Sequence, residues 1–231
     1  HRTGPITGPA ASMCPSSNDL LADLRSIHRA IRADVERRLE NFKTVWREGS
    51  DDDIFCELVF CLFTPQSSAY RCWDAVERLK SKDLIFRGCS DEISGHINTV
   101  RFRNNKARYL VRAREFFTVD GNMRIKSILS SIADPVERRR FLVENVRGMS
   151  WKEASHFLRN TGFGEDLAIL DRHVLKNLAA LGVIPRIPPS LTAKRYLEIE
   201  AAMRAFARKV RIPLAHLDFV LWYREAGSVF K

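Results

Sequence analysis

Residues 145–153 read Asn-Val-Arg-Gly-Met-Ser-Trp-Lys-Glu. Helical patterns flank this stretch on both sides, so it predicts two helices joined by a tight turn at Gly148. Ser150 and Glu153 form an S-x-x-E capping box, which begins the second helix and puts Lys152 in its first turn. A cation at that position opposes the helix macrodipole at a cost of roughly 0.3–1 kcal/mol. The placement indicates that Lys152 serves chemistry rather than stability.

The charge balance of the 231-residue chain indicates a polyanionic partner. Lys and Arg number 38 against 28 Asp and Glu, which gives a net charge of +10 and a pI near 9.7. Nucleic acid is the polyanion that such a balance favours first. No apolar run reaches the ~20 residues that span a bilayer, so no membrane association is expected. Residues 1–12 read as a disordered cloning remnant, which leaves 13–231 as one domain.

The cysteines and histidines give no sign of a metal centre. Five cysteines lie within or near apolar helical patterns: Cys14, Cys56, Cys61, Cys72 and Cys89. An odd, scattered set is typical of reduced thiols in a cytosolic protein. None forms a CxxC pair and none follows Cys89, so we expect no iron–sulfur cluster. The histidines lack ligand spacing, and we predict neither a metal nor another cofactor.

The apolar residues recur with helical spacing almost throughout, which predicts an all-α chain. The strongest predicted helices cover residues 19–47, 51–63, 67–79, 104–117, 134–144, 171–182, 191–209 and 213–225. Asp134-Pro135 followed by Glu137 is a strong helix-start signal. The proline-rich residues 184–189 read as a linker. The turn at Gly148 lies inside a helical hairpin of about residues 134–161.

Taken together, these motifs resemble the helix-hairpin-helix superfamily of DNA glycosylases. Within it they resemble the small prokaryotic second family of 8-oxoguanine DNA glycosylase/AP lyases. The resemblance rests on the hairpin, on Lys152 with Asp171, and on residues 63–69 (FTPQSSA), 101–107 (RFRNNKA) and 222–231. It implies two intimately packed helical subdomains with the active site in the cleft between them. It also implies a double-stranded DNA substrate containing 8-oxoguanine or an abasic site.

The resemblance makes Lys152 and Asp171 the catalytic residues. The neutral amine of Lys152 would attack C1′ of the damaged nucleotide, expel the base and leave a Schiff base, from which β-elimination nicks the strand. Asp171 would either accept a proton from Lys152 or stabilise positive charge on the sugar. It would also cap the helix that it precedes, using one carboxylate oxygen for each role.

The same resemblance assigns a pocket for the flipped base. The base would stack on Trp222, and Phe102 is the candidate for the opposite wall, with a core phenylalanine as its alternative. Asp218 lies one helical turn before Trp222, on the same face, and would accept hydrogen bonds from the N1 and N2 edge of the purine. The terminal Lys231 would complete the pocket.

Contacts to the DNA strand are predicted at the hairpin and at one turn. Gln66 matches the wedge that fills the gap left by a flipped base, with an exposed turn amide as the alternative. The hairpin reads Arg147-Gly148-Met149-Ser150 where the family prefers Pro-Gly-Val-Gly, so Ser150 would cap the helix and Arg147 would add a phosphate contact. His173 would touch phosphate or be structural. A basic stretch would follow the backbone: Arg101, Arg103, Lys106, Arg108, Arg112 and Arg114.

Two other functions remain open from the sequence. An oxidised-pyrimidine glycosylase/lyase of the same fold would share the hairpin. Its branch of the superfamily usually carries four clustered cysteines for an iron–sulfur site, which this sequence lacks. The resemblance of residues 222–231 to the 8-oxoguanine family also weighs against it. A non-catalytic helix-hairpin-helix DNA-binding protein would explain Gly148 and the charge. It would give no reason for Lys152 and Asp171. For any of the three we expect a monomer in a prokaryotic cytoplasm.

Overall fold

The computed structural model describes residues 17–229, which form twelve α-helices and one short β-hairpin. The first six helices are α1 (Ser17–Glu48), α2 (Asp51–Phe63), α3 (Ala69–Ser81), α4 (Leu84–Arg87), α5 (Ser90–His96) and α6 (Arg103–Phe117). Strands β1 (Thr118–Val119) and β2 (Asn122–Met123) follow. The last six helices are α7 (Ile125–Ser130), α8 (Pro135–Asn145), α9 (Trp151–Asn160), α10 (Arg172–Ala180), α11 (Ala193–Val210) and α12 (Leu214–Ala226). Residues 1–12 and Lys231 lie outside the described part.

The helix starts follow the capping residues that the sequence supplies. The Asp134 side chain accepts a hydrogen bond from Val136 N, with Pro135 at the first helical position of α8. Ser150 begins α9 through a complete capping box with Glu153, so Lys152 occupies the second helical position as predicted. Satisfying these otherwise unpaired N–H groups is what fixes where each helix begins.

A short β-hairpin lies between α6 and α7, where the all-α prediction had no strand. Asp120 and Gly121 have φ angles of 50° and 75°, which suit the two-residue turn of an antiparallel hairpin. Thr118 pairs with Met123, and α7 begins after the hairpin, at Ile125. The strands are too short for period-two alternation to appear in the sequence.

Two hydrophobic cores lie side by side, which confirms the expected pair of packed helical subdomains. The first core is built mainly from α2 to α9, and the second from α1 with α10 to α12. Helix α1 runs along both, since Val35 is buried in the second core while Trp46 packs against the first. The hairpin helix α9 contacts α1, α2 and α8. The two halves of the chain therefore meet where the hairpin ends.

A buried ion pair ties the two subdomains together. The guanidinium of Arg139 on α8 is fully buried and meets both carboxylate oxygens of Glu200 on α11, at 2.6 and 3.0 Å. Glu200 Oε2 also accepts a hydrogen bond from Ala168 N at 2.8 Å, and Arg139 Nη1 donates to Ser155 Oγ. Tyr196 OH donates to the carbonyl of Ala168 at 2.6 Å. This network fixes the segment that leads into α10.

The described cysteines are reduced, and most of them are chemically quiet. Cys56, Cys61 and Cys72 are buried, whereas Cys89 is exposed. Burial raises the pKa of Cys56 to about 12 and that of Cys72 to about 11, so both stay protonated thiols at neutral pH. Within residues 17–229, no helix is both long and apolar enough to cross a membrane.

Candidate active site

A cavity of about 1030 Å³ opens between the two subdomains. It is lined from both sides, and six of the predicted site residues meet in it: Gln66, Lys152, Asp171, His173, Asp218 and Trp222. Lys152 comes from α9 of the first subdomain, whereas Asp171 and Trp222 belong to the second. The expected cleft is thus present, and both members of the predicted catalytic pair border it.

Lys152 is held between a hydroxyl and a carboxylate. Its Nζ donates to Thr64 Oγ1 at 3.2 Å and lies 3.0 Å from Glu153 Oε1, with 21% of the side chain exposed. Glu153 Oε2 accepts from the backbone N–H of Ser150, so one carboxylate caps the helix and also pairs with the lysine. Glu153 therefore compensates the unfavourable position of Lys152 at a helix start.

The partners of Lys152 differ in how visible they are in the sequence. Glu153 was identified only as a capping residue, although its position next to Lys152 is a usable signal. Thr64 comes from the far end of α2, and no local pattern connects it to the hairpin. Burial acts to raise the pKa of Glu153, but Lys152 and the hydrogen bond from Ser150 outweigh it and lower the pKa overall. Glu153 is thus an anion at neutral pH.

Asp171 is the helix cap that the sequence indicated. Its Oδ1 accepts a hydrogen bond from Val174 N at 2.8 Å, and its backbone is extended just before α10. The residue is half-buried and borders the cavity. A capping bond to one oxygen holds the carboxylate at a fixed orientation at the positive end of α10, where negative charge is stabilised.

Asp218 forms an ion pair with a buried arginine, which the sequence did not indicate. It is buried, and its Oδ2 accepts a charge-assisted hydrogen bond from Nη1 of the buried Arg159. Burial raises the pKa of Asp218 to about 6, although Arg159 opposes that shift. The expected face shared with Trp222 is present, since both residues line the cavity. One carboxylate oxygen is already used, so only the other remains for a base.

Trp222 and His173 form one wall of the cavity. Their ring centroids are 5.5 Å apart at an interplanar angle of 85°, an edge-to-face contact. His173 Nδ1 also lies 3.8 Å from Glu225 Oε2. The indole N–H of Trp222 is buried without a hydrogen-bond partner among residues 17–229. His173 therefore packs against Trp222, which fits the structural alternative that the sequence left open for this histidine.

The structure does not bring Phe102 into this cavity. Phe102 is 50% exposed, has a φ of 59°, and packs under the Arg101 guanidinium, whose Cζ is 5.0 Å from the ring centroid. It is absent from the cavity lining, and its exposure also excludes the alternative of a core phenylalanine. Its positive φ at the residue before α6 turns it outward. The predicted pocket residue Lys231 lies beyond the described residues.

The hairpin turn has the geometry that its glycine permits. Gly148 has a φ of +88°, and a Cβ added there would lie 2.2 Å from Cδ2 of Tyr109. Arg147 is exposed beside it, and Ser150 caps α9. The turn therefore needs glycine both for its backbone conformation and for the Tyr109 ring packed against it.

Substituting Gly148 by Ala should distort this turn. We expect a loss of about 1–3 kcal/mol in the free energy of unfolding, because a non-glycine residue at positive φ is strained and the Tyr109 ring must move. DNA affinity should fall as well, measured by fluorescence anisotropy at fixed salt. Gly95→Ala is the matched control, since a Cβ on Gly95 meets nothing within 4 Å. Equal stability of the two variants would contradict this account.

The basic stretch at α6 divides into surface and structural cations. Arg101, Arg103, Arg108 and Arg112 are exposed, in agreement with a role at the DNA backbone. Lys106 and Arg114 were wrongly grouped with these exposed arginines. Lys106 is buried, and Arg114 donates to the carbonyls of Ile85 and Gly88 at 3.0 Å. Within residues 17–229, no three His, Cys, Asp or Glu side chains are grouped to hold a metal ion.

A hairpin that delivers a lysine to a cleft between two helical subdomains, opposite a helix-capping aspartate, defines a helix-hairpin-helix DNA glycosylase fold. The family model described as 8-oxoguanine DNA glycosylase matches residues 35–212, and the chain belongs to this family. A relative from Fusobacterium nucleatum, an 8-oxoguanine DNA glycosylase/AP lyase, is 46% identical over 93% of this chain and 99% of its own.

Solved structures of two relatives have the same architecture. The 8-oxoguanine DNA glycosylase of Thermotoga maritima is 35% identical, with a TM-score of 0.83 over 94% of this chain and 100% of that one. The Methanocaldococcus jannaschii 8-oxoguanine glycosylase/lyase, in complex with a 15mer DNA containing 8-oxoguanine, is 32% identical. Its TM-score is 0.83 over 92% of this chain and 99% of that one. The all-α helix-hairpin-helix glycosylase fold is confirmed.

Proposed function

We propose that this protein excises 8-oxoguanine from double-stranded DNA and then cleaves the resulting abasic site by β-elimination. The observation that carries the proposal is the position of Lys152, whose Nζ lies at the cavity between Thr64 and Glu153, with Asp171 on the facing subdomain. The relatives from Fusobacterium nucleatum and Methanocaldococcus jannaschii carry both activities in their names, and each matches nearly the full length of the chain.

Lys152 acts as the nucleophile. Its amine, once deprotonated, forms a bond to C1′ while the bond from C1′ to the base breaks and the base leaves with the electron pair and gains a proton. The nitrogen then gives up a proton and O4′ takes one up as the C1′–O4′ bond breaks, which opens the sugar to a protonated Schiff base. Removal of a 2′ proton then expels the 3′ phosphate. In the free enzyme, the ammonium of Lys152 lies 3.0 Å from Glu153 Oε1. Displacement of solvent by bound DNA disfavours that charge and favours the reactive amine.

Asp171 supplies the carboxylate that handles charge and protons. Its capping bond to Val174 N leaves the second oxygen for the cavity, where it accepts the proton of Lys152 or stabilises positive charge on the sugar. The cap and the catalytic role therefore belong to different oxygens of one side chain.

The base is held against Trp222. The indole presents a flat apolar face, and His173 contacts the tryptophan edge-to-face. The free oxygen of Asp218 accepts from the purine edge, while Arg159 keeps the other oxygen fixed. Lys231 completes this pocket by its position in the family motif. Phe102, being exposed, contacts the strand near Arg101 rather than facing Trp222.

The DNA strand follows exposed cations of the hairpin turn and of α6. Arg147 and Arg103 contact phosphates, as do the backbone N–H groups after Gly148. Gln66 is exposed at the tip of its turn with a φ of 55°, a strained conformation for a non-glycine residue that aims it toward the duplex. One chain forms the whole cavity, which supports action as a monomer. The buried thiols suit a reducing cytoplasm.

A panel of matched duplexes tests the proposal. Oligonucleotides carrying 8-oxoguanine, thymine glycol or an abasic site are incubated with the protein, with and without borohydride. We expect excision of 8-oxoguanine, nicking of both the product and the abasic duplex, and covalent trapping by borohydride. Excision of thymine glycol alone would identify an oxidised-pyrimidine glycosylase instead. DNA binding without covalent trapping by borohydride would identify the protein as a non-catalytic DNA-binding module.

A further inference from the structure

Lys106 is a buried lysine whose three donors are all used on one turn. Lys106 is only 3% exposed. Its Nζ donates to Phe63 O at 2.6 Å, to Pro65 O at 2.7 Å and to Ser67 Oγ at 3.3 Å. Burial lowers the pKa of Lys106 to about 8, which leaves the ammonium form predominant at neutral pH. An ammonium has three N–H donors, and each has an acceptor here.

The turn that Lys106 holds carries Gln66 at its tip. Ser67 N donates to Thr64 O at 3.0 Å, which closes a four-residue turn with Pro65 in its second position and Gln66 in its third. A turn with proline second and a positive φ third normally has glycine or asparagine there. Gln66 occupies that place with a φ of 55°, so the surrounding contacts must stabilise its backbone.

The acceptors of Lys106 lie on both sides of Gln66. The carbonyl of Pro65 precedes it and the hydroxyl of Ser67 follows it, and Ser67 Oγ also accepts from Arg101 N at 2.9 Å. The ammonium therefore joins the two ends of the turn to α6. Thr64, which contacts Lys152, is anchored separately because its Oγ1 donates to Cys61 O at 2.8 Å.

We propose that Lys106 is a positioning residue that holds Gln66 in the conformation needed to open the base stack. It never touches the substrate and acts through the backbone of the turn. The proposal rests on the proposed function, since it assigns Lys106 to base flipping and not to the Schiff-base step. Its contribution is expected only where a stacked, paired base must be displaced.

A Lys106→Met variant tests this assignment in single-turnover assays. Because flipping a paired base costs a few kcal/mol, we expect excision of 8-oxoguanine from a duplex to slow by about tenfold or more. Trapping on a preformed abasic duplex should change by less than about threefold, because that sugar carries no base to unstack. The fluorescence rise of 2-aminopurine placed next to the lesion should be reduced in parallel with excision.

Three further variants separate positioning from a general loss of structure. Lys126→Met is the matched control, because Lys126 is half-buried and its Nζ donates to the backbone carbonyl of Gly49 at 2.6 Å. Lys126 does not line the cavity, so this variant should leave both rates unchanged. A double variant with Gln66→Ala should be no slower than the slower single variant, since both act on one step. Ser67→Ala removes one acceptor and should show a weaker form of the same pattern, even if Lys106→Met fails to fold.

The outcomes distinguish this inference from the proposed function. Equal losses in excision and in abasic trapping, or no loss in either, would overturn the role of Lys106. Additive effects of Lys106→Met and Gln66→Ala would do the same. Wild-type protein that leaves 8-oxoguanine duplexes intact would instead remove the proposed function.

Discussion

Replacing Lys152 by Gln should eliminate borohydride trapping on abasic DNA and reduce excision by at least about 10³-fold, because no other group replaces a lost covalent nucleophile. Glutamine keeps a donor that reaches Thr64 Oγ1, so the local structure should persist. The measurement is the yield of the covalent protein–DNA adduct after borohydride reduction, together with single-turnover excision. DNA affinity, measured at the same salt concentration, should remain near that of the wild type.

Lys43→Gln is the control for the loss of one lysine charge. Lys43 lies on the surface of α1 and pairs with Glu165 at 2.6 Å, outside the cavity lining. It should give the wild-type yield of adduct. A normal yield from Lys152→Gln would place the nucleophile elsewhere and remove the observation on which the proposed function rests.

Replacing Arg139 by Met should lower the free energy of unfolding by about 3–5 kcal/mol, because it removes the buried cation that makes the two shortest guanidinium bonds to the Glu200 carboxylate. Glu200 is only 3% exposed. It accepts hydrogen bonds from Arg139 Nη1 and Nη2 at 2.6 and 3.0 Å, and a longer one from Arg204 Nη2 at 3.4 Å. Denaturant unfolding followed by circular dichroism measures the change. The adjacent Arg140→Met is the matched control, since Arg140 forms only an exposed pair with Glu137 and should cost less than about 1 kcal/mol.

A double variant identifies the cause of that loss. Adding Glu200→Gln to Arg139→Met removes the buried negative charge that has lost Arg139 and keeps an acceptor for Ala168 N. We expect it to recover a large part of the stability, because a neutral amide is cheaper to bury than a lone carboxylate. If the double variant were less stable than Arg139→Met, packing rather than charge would be responsible.

The sequence predicted the parts of the fold and the site that depend on local patterns. Helix starts at Asp134 and Ser150 were visible because a cap is formed by residues a few positions apart. Lys152 and Asp171 were predicted as a catalytic pair from the family resemblance, and their places beside helix starts were visible from the local capping residues. Contacts between distant segments were not visible, which is why Thr64 and Arg159 were missed.

The division of the basic stretch at α6 shows a second limit. Charge alone grouped Lys106 with the exposed arginines, yet Lys106 lies on the helical stripe formed by Leu110, Ala113 and Phe117, all buried. That 3.6-residue spacing was a usable signal for burial. Phe102 was misjudged for the opposite reason: an aromatic residue is typical of a pocket, and its left-handed backbone conformation is not encoded in its residue type.

Lys152 and Asp171 belong to different subdomains, so the distance between them depends on how the two cores are oriented. The alignment of the reacting groups is therefore a property of the whole interface between the cores, including Arg139 and Glu200. A substitution that rotates one core against the other by a small angle would change the rate while every residue of the cavity stayed in place. Selection for repair efficiency would then act on interface packing far from the damaged base, as well as on the cavity itself.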